Sequence, residues 1–126
     1  PRDVENKTVE IARRDTLTKQ EISEIEMENH ILGLLEEIQD NLYNRALQYR
    51  KDNTHSVNTW EEFKTVIENG GFAYAHWDGT TETELAIKEA TKATLRCIPL
   101  DDDLEEGVDI FSGKPSKRRV IFAKAY

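Results

Sequence analysis

The fold of this 126-residue chain is decided by residues 59–98, which read TWEEFKTVIENGGFAYAHWDGTTETELAIKEATKATLRCI. A capping-box sequence at 59–62 stands before apolar residues at helical spacing, and the Gly70-Gly71 pair supplies the left-handed ending that helices favour. A short helix is therefore predicted between these two signals. The apolar run FAYAHW at 72–77 then predicts a largely buried strand.

The pattern continues in both directions from this segment. A second capping box at Thr81–Glu84 predicts another helix, and TLRCI at 94–98, which Pro99 ends, predicts a strand. Upstream, an apolar stripe at three-to-four spacing predicts a long core helix over 28–52, and alternation over 8–14 predicts a strand. Branched and aromatic residues predict a last strand over 120–125.

Helices and strands in this order predict an α+β domain. We expect a two-layer α/β sandwich, in which the helices pack on one face of a mixed sheet. The longest predicted loop lies between the last two strands, and it passes from an acidic run at 101–106 to the basic residues 117–119.

Composition limits the classes of protein to which the chain can belong. There are 17 Lys+Arg and 25 Asp+Glu residues, a net charge of −8 that argues against unspecific binding to nucleic acid. The chain is long enough for one domain, and it contains no apolar run of the length a membrane span needs. The single cysteine, Cys97, excludes an internal disulfide and suits a reducing cytosol. Its place within a strand predicts a buried structural thiol.

One group of residues could form a ligand site. His76 and Asp78 end a strand just before a helix, where α/β folds place ligands, although a buried histidine satisfied by the backbone is favoured over a ligand. Asp109 and Ser112 would approach Asp78 and Thr83 if the long loop folds back over the strand end. Two carboxylates and two hydroxyls make a poor zinc site, because zinc prefers cysteine and histidine. A small hydrolase built on His76, Asp78 and Asp109 is the weakest hypothesis, since no nucleophile is identified.

A series of short motifs carries a resemblance to a known family. Their order matches the C-terminal part of class II prolyl-tRNA synthetases, of the kind that has an extra domain after the anticodon-binding domain. The motifs are Pro1-Arg2-Asp3, Ala12-Arg13-Arg14-Asp15, Asn41-Leu42-Tyr43, Arg45-Ala46, Gly71-Phe72, Ala75-His76, Ile87-Lys88-Glu89, Arg96-Cys97-Ile98-Pro99, Gly113-Lys114-Pro115 and Phe122-Ala123-Lys124-Ala125-Tyr126.

The resemblance implies a division of the chain and a set of partners. Residues 1–26 would be the end of the anticodon-binding domain with a connecting strand, and 27–126 the appended C-terminal domain. The later elements resemble the C-terminal domain of translation initiation factor three. The fragment would not catalyse, because the sites for ATP, Mg²⁺ and proline would lie upstream. Its partners would be the tRNA for proline and the catalytic and anticodon-binding domains of the same chain, in a cytoplasmic enzyme that forms homodimers.

The resemblance also implies roles for individual residues. Arg2, and less directly Arg13 and Arg14, would lie near the anticodon, and the terminal Tyr126 would face the active site. The family often holds zinc on four cysteines in this domain. The corresponding positions here are Asp78, Thr83, Asp109 and Ser112, so we expect the metal to be absent and polar side chains to hold the loop.

An alternative of another class is a free-standing binding module. It would use the basic segment 114–119 on RNA, or the acidic loop on a protein partner.

Overall fold

The computed structural model describes residues 2–100 and 104–125. The chain divides into two compact units, Pro1–Tyr49 and Arg50–Tyr126. The helices are α1 (Arg2–Asn6), α2 (Met27–Asn53), α3 (Trp60–Glu68) and α4 (Thr81–Thr91), with a short 3-10 helix at Glu24–Glu26. The strands are β1 (Thr8–Ala12), β2 (Lys19–Ser23), β3 (Thr54–Ser56), β4 (Phe72–His76), β5 (Ala93–Cys97), β6 (Gly107–Val108), β7 (Pro115–Ser116) and β8 (Arg119–Lys124).

The first unit contains an antiparallel hairpin of β1 and β2. Val9 and Ile11 alternate with exposed neighbours, as the pattern predicted, and Val9 lies opposite Ile22. The strand ends earlier than predicted because the Arg13 N–H donates to the Thr18 carbonyl (2.8 Å) and the chain turns. Strand β2 was not predicted, since KQEIS offers a single apolar residue, Ile22.

Helix α2 has almost the predicted extent, but its prediction as a core helix is wrong for the described structure. None of its residues is buried, and Leu35 in its apolar stripe remains 58% exposed. The apolar stripe of α2 is present as the sequence predicts. It stays exposed because the hairpin of β1 and β2 is too small to cover a helix of 27 residues.

The second unit has a four-stranded sheet in the order β3-β4-β8-β5. Strand β3 runs parallel to β4, and the other neighbours are antiparallel, so the predicted α+β fold with a mixed sheet is confirmed. Phe63 and Ile67 of α3 and Ile87 of α4 are buried in the same core as alternate residues of β4 and β8. Those alternate residues are Ala73, Ala75, Val120 and Phe122, and the two helices therefore pack on one face of the sheet.

The helix starts of this unit show how local sequence sets the elements. The capping box of α3 is as predicted: Thr59 Oγ1 accepts the Glu62 N–H, and the Glu62 carboxylate accepts the Thr59 N–H. The second predicted capping box is wrong by one residue, because the N-cap of α4 is Thr80 rather than Thr81. Asp78 selects Thr80, since its carboxylate accepts the Thr80 N–H at 2.9 Å.

Cys97 lies at the end of the edge strand β5, and it is exposed. The prediction of a buried thiol is wrong because the pairing with β8 shifts between Leu95 and Cys97. Leu95 lies opposite the core residue Phe122, whereas Cys97 lies opposite Ile121 on the other face of the sheet. The short strands β3, β6 and β7 were also not predicted, because two or three residues carry no readable period.

Candidate functional site

The loop between β5 and β8 folds back over the end of β4. The Ile110 N–H donates to the His76 carbonyl at 3.1 Å, and β6 pairs with β7 in an antiparallel hairpin. Within the hairpin, Asp109 donates its N–H to the Lys114 carbonyl (2.8 Å), and Gly113 has the positive φ of 69° that the turn requires. This turn brings Asp109 and Ser112 next to Asp78, which lies two residues beyond the end of β4.

Asp78 is the centre of a group that we call the polar cluster, formed by Asp78, Thr83, Asp109 and Ser112. Its Oδ1 accepts the N–H and the hydroxyl of Thr80, at 2.9 and 2.8 Å. Its Oδ2 accepts the hydroxyls of Thr83 (2.8 Å) and Ser112 (3.2 Å). The side chain is only 3% exposed, and burial by itself would raise the pKa of this carboxyl. The donors from Thr80, Thr83 and Ser112 outweigh burial, so the pKa of Asp78 lies below its ordinary value.

Asp109 joins the loop to the strand end through backbone amides. Its Oδ2 accepts the Asp78 N–H at 3.0 Å, and its Oδ1 accepts the N–H groups of Phe111 (2.9 Å) and Ser112 (2.6 Å). The residue is 2% exposed. Both carboxylates of the polar cluster are therefore bonded on each oxygen by groups of the chain itself.

The polar cluster does not fit a zinc ion. All of its ligating atoms are oxygens, two of them neutral hydroxyls, while zinc sites use thiolates and imidazoles. The Lys114 ammonium lies 3.9 Å from Asp78, so a cation of the chain already faces this carboxylate. Within residues 2–100 and 104–125, no three His, Cys, Asp or Glu side chains are grouped to hold a metal ion.

His76 is buried beside the polar cluster and is satisfied by side chains. Its Nδ1 lies 3.1 Å from Ser116 Oγ, and its Nε2 lies 3.5 Å from a Glu105 carboxylate oxygen. Gly107 packs directly on the imidazole, where a Cβ atom would overlap the ring. The described contacts of the ring go to neither Asp78 nor Asp109, so the three residues are not joined as a hydrolase would need.

Arg119 fastens the loop to the sheet, a role that the sequence did not indicate. Its Nη1 donates to the Val57 carbonyl at 3.0 Å, its Nη2 to Asn58 Oδ1 at 2.6 Å, and its Nε to Glu105 at 3.0 Å. The hydrogen bond from Arg119 lowers the pKa of Glu105. In the sequence Arg119 is the last of three adjacent basic residues, which read as surface charge. The one sequence feature that could have indicated its role is its position directly before the last predicted strand, and in the structure it pairs with His76 of β4.

The other predicted residues lie in the first unit or outside the described structure. Arg2 and Arg14 are exposed. Arg13 is held by Asp15 at 2.9 Å and Glu37 at 2.7 Å. Tyr126 lies outside the described residues. Among the described helices, none has both the length and the apolar content to cross a membrane.

Comparison with known proteins gives consistent matches over the whole chain. The family model described as "Prolyl-tRNA synthetase, C-terminal" matches residues 60–126. A proline–tRNA ligase of Porphyromonas gingivalis is 55% identical over 125 residues, covering 99% of this chain and 25% of the relative. One from Flavobacterium johnsoniae is 53% identical over 127 residues, covering 100% and 26%.

A solved structure extends the match to three dimensions. The crystal structure of prolyl-tRNA synthetase from Cryptosporidium parvum, complexed with halofuginone and AMPPNP, has a TM-score of 0.91 and 30% identity, covering 100% of this chain and 27% of that one. The three proteins named above are proline–tRNA ligases or a prolyl-tRNA synthetase, which are aminoacyl-tRNA ligases. The chain itself belongs to the family of prolyl-tRNA synthetase C-terminal domains. It spans about a quarter of the length of the curated relatives that it matches.

Proposed function

We propose that this chain is the C-terminal part of a proline–tRNA ligase and supports the ATP-dependent ligation of proline to its tRNA. The observation that carries the proposal is the identity of 53–55% with two proline–tRNA ligases over nearly every residue of the chain. The chain spans only a quarter of those relatives, and in this proposal catalysis belongs to the other three quarters. The fragment alone is not catalytic.

The remaining three quarters of the enzyme supply the chemistry in this proposal. ATP and Mg²⁺ bind in the catalytic domain, which also joins two copies into a homodimer. The partners of the fragment are the tRNA for proline and the catalytic and anticodon-binding domains of the same chain, in the cytoplasm. We also propose that the second unit shares the fold of the C-terminal domain of translation initiation factor three, a proposal supported by its two helices on one face of a small mixed sheet.

Residues 1–26 are, in this proposal, the end of the anticodon-binding domain, and 27–126 the C-terminal domain. The exposure of apolar side chains in the first unit supports an incomplete domain there, since Leu17 is 86% and Ile25 87% exposed. The first compact unit continues to Tyr49, so the first part of α2 packs with residues 1–26 although the proposed boundary places it in the C-terminal domain. Upstream residues of the longer protein would complete the core of the first unit.

Arg2, Arg13 and Arg14 are proposed to lie near the anticodon. Exposure of Arg2 and Arg14 supports direct contact, whereas the ion pairs of Arg13 support a positioning role. Tyr126 is proposed to face the active site. An enzyme shortened by this one residue should lose activity, and full activity would disprove that role.

The polar cluster is proposed to occupy the place of the family's zinc site. The hydrogen bonds that both carboxylates accept from the chain support this, because they hold the loop on the strand end with no metal ligand. Elemental analysis should find no stoichiometric zinc in the purified chain. Replacement of all four positions by cysteine should create one zinc site per chain, and failure to bind zinc would contradict the assigned correspondence.

The experiment that tests the function uses the protein extended upstream of Pro1. We expect it to catalyse proline-dependent exchange between ATP and pyrophosphate and to charge the tRNA for proline, and the 126-residue fragment to do neither. If the extended protein is inactive in both assays, the free-standing binding module becomes the better account.

A further inference from the structure

We propose that a groove beside the end of β4 binds a nucleotide segment of RNA. The groove encloses about 280 Å³. Three apolar residues line it, Trp77, Ile98 and Pro115, together with Lys117, Arg118 and the Asp78-Gly79 turn. We call it the Trp77 groove. An aromatic ring next to two cations is the arrangement that proteins use for a base and its phosphate.

The two cations of the groove are available to a ligand. Lys117 and Arg118 are exposed, and their side chains form no ion pair or hydrogen bond with any described residue. This separates them from Arg119, which is bound to Glu105 and to the sheet, and from Lys114, which faces Asp78.

The backbone that carries these cations is held on both sides. The Arg118 carbonyl accepts the Trp77 N–H at 3.5 Å and the Ser116 hydroxyl at 2.9 Å, and the Lys117 carbonyl accepts the Glu105 N–H at 3.0 Å. The backbone that carries the two side chains is therefore already ordered before binding, which lowers the entropic cost of association.

Trp77 is suited to stack on a base. It is half-buried, and its indole N–H donates to the Thr80 carbonyl at 3.2 Å. This bond fixes the ring and uses its only polar atom, so the part of the ring that lines the groove is apolar. Every base has a π-face, whereas the side chains of an acidic peptide have none.

The electrostatics of the groove also favour an anion. Asp78 lines one wall, but its oxygens accept four hydrogen bonds from the chain, and the Lys114 ammonium lies 3.9 Å away. Lys117 and Arg118 then leave the described part of the groove positive on a chain whose net charge is −8. Such a local patch on an acidic chain selects an anionic partner at this face. The chemistry selects a nucleic-acid strand, and its identification as RNA, and as the tRNA for proline, rests on the proposed function.

The test measures binding of the 126-residue chain to two probes, a transcript of the tRNA for proline and an unrelated 12-nucleotide single-stranded RNA. A Lys117→Glu/Arg118→Glu variant should weaken both complexes about twentyfold or more at 0.1 M salt. The neutral Lys117→Ala/Arg118→Ala variant should lower the slope of log K against log salt by about 1.4, since each contact with a single strand contributes about 0.7. A Lys88→Glu/Lys92→Glu variant is the matched control, because it changes two exposed cations of the α4 region and the net charge equally, and it should bind as the wild type.

A second readout follows the ring itself. Trp60 and Trp77 are the two tryptophans of the chain, so a Trp60→Phe variant reports Trp77 alone. We expect each RNA to quench the fluorescence of Trp77, with a signal that saturates as RNA is added. The Lys117→Ala/Arg118→Ala substitutions should remove this quenching at the same RNA concentration. The proposal is overturned if neither RNA binds or if a saturating concentration of RNA leaves the fluorescence of Trp77 unchanged. It is also overturned if the Lys117→Glu/Arg118→Glu variant and the Lys88→Glu/Lys92→Glu control bind RNA with the same affinity. Binding of an acidic peptide in place of RNA would likewise overturn it.

These outcomes are separable from those of the proposed function. If the extended enzyme charges its tRNA but the Trp77 groove binds no RNA, only the groove proposal fails. If the groove binds RNA but the extended protein does not charge tRNA, only the identity of that RNA as the tRNA for proline fails.

Discussion

Replacement of Asp78 by asparagine tests whether the polar cluster holds the loop on the sheet. The substitution keeps the size of the side chain but removes its charge and one of its two acceptor oxygens. In the wild type these oxygens accept four hydrogen bonds, two of them from the hydroxyls of Thr83 and Ser112. Since Thr83 is only 5% exposed, water cannot readily replace its lost partner.

The expected loss of stability follows from these contacts. A hydrogen bond to a charged group contributes about 1.5–3 kcal/mol, and the asparagine side chain would retain the acceptor that faces Thr80. Its amide would donate to the two hydroxyls, which recovers part of the loss. We therefore expect the free energy of unfolding to fall by about 2–3 kcal/mol. The control Glu82→Gln, an exposed acid in the first turn of the same helix, should cost less than about 0.5 kcal/mol.

Urea unfolding followed by tryptophan fluorescence measures this change, because Trp60 and Trp77 both lie in the second unit. The pKa of Asp78 is lowered in the folded state, so the ionised carboxylate stabilises the fold. That contribution is complete above the unfolded pKa of about 3.9 and is lost as the pH falls through the folded value. The difference in the free energy of unfolding between wild type and Asp78→Asn should thus become smaller as the pH is lowered from 5 to 3. An unchanged urea midpoint at pH 7, or a difference independent of pH, would refute the reasoning.

Three further predictions concern other contacts. Thr59→Ala removes the cap of α3 and should cost about 1 kcal/mol, seen as a lower Tm, whereas Thr59→Ser should restore most of it; equal Tm values for all three would contradict the capping role. Gly107→Ala places a methyl group on the His76 ring and should cost about 1–3 kcal/mol in urea unfolding, and an unperturbed His76 NMR signal would show that the contact is looser than described. Hydrogen exchange should be faster across residues 2–49 than in β4 and β8, because the only buried hydrophobic residue of the first unit is Ile22 among those described; equal protection would contradict this.

The elements that local patterns predicted correctly share a physical basis. The capping box at Thr59, the alternation at Val9 and Ile11, and the apolar strand at 72–76 depend on neighbours within four residues. Such signals bias the local backbone toward helix or strand and can be read from sequence, while packing supplies most of the stability. The motifs that carry the family resemblance are likewise visible without a structure.

The predictions from sequence were wrong where contacts between other parts of the chain determine a cap or the burial of a side chain. Thr80 rather than Thr81 caps α4 because Asp78 binds it, and the shifted pairing with β8 turns Cys97 outward. The long α2 stripe has the pattern of a core helix, but no residue of α2 is buried in the described structure. Period alone shows that a helix has an apolar side, and it does not show what covers that side.

Residue spacing and the order of motifs were enough to establish the α+β class, the main helices and strands, and the family, because these depend on neighbours close along the chain. Among three adjacent cations, the folded loop was needed to distinguish Arg119, which is bonded to the sheet, from Lys117 and Arg118, whose side chains are bonded to no described residue. Arg119 bonds to Asn58, 61 residues away, while Lys117 and Arg118 line the Trp77 groove. The physical reason is that charge pairing and burial depend on distances in space, which the folding of the loop over β4 establishes.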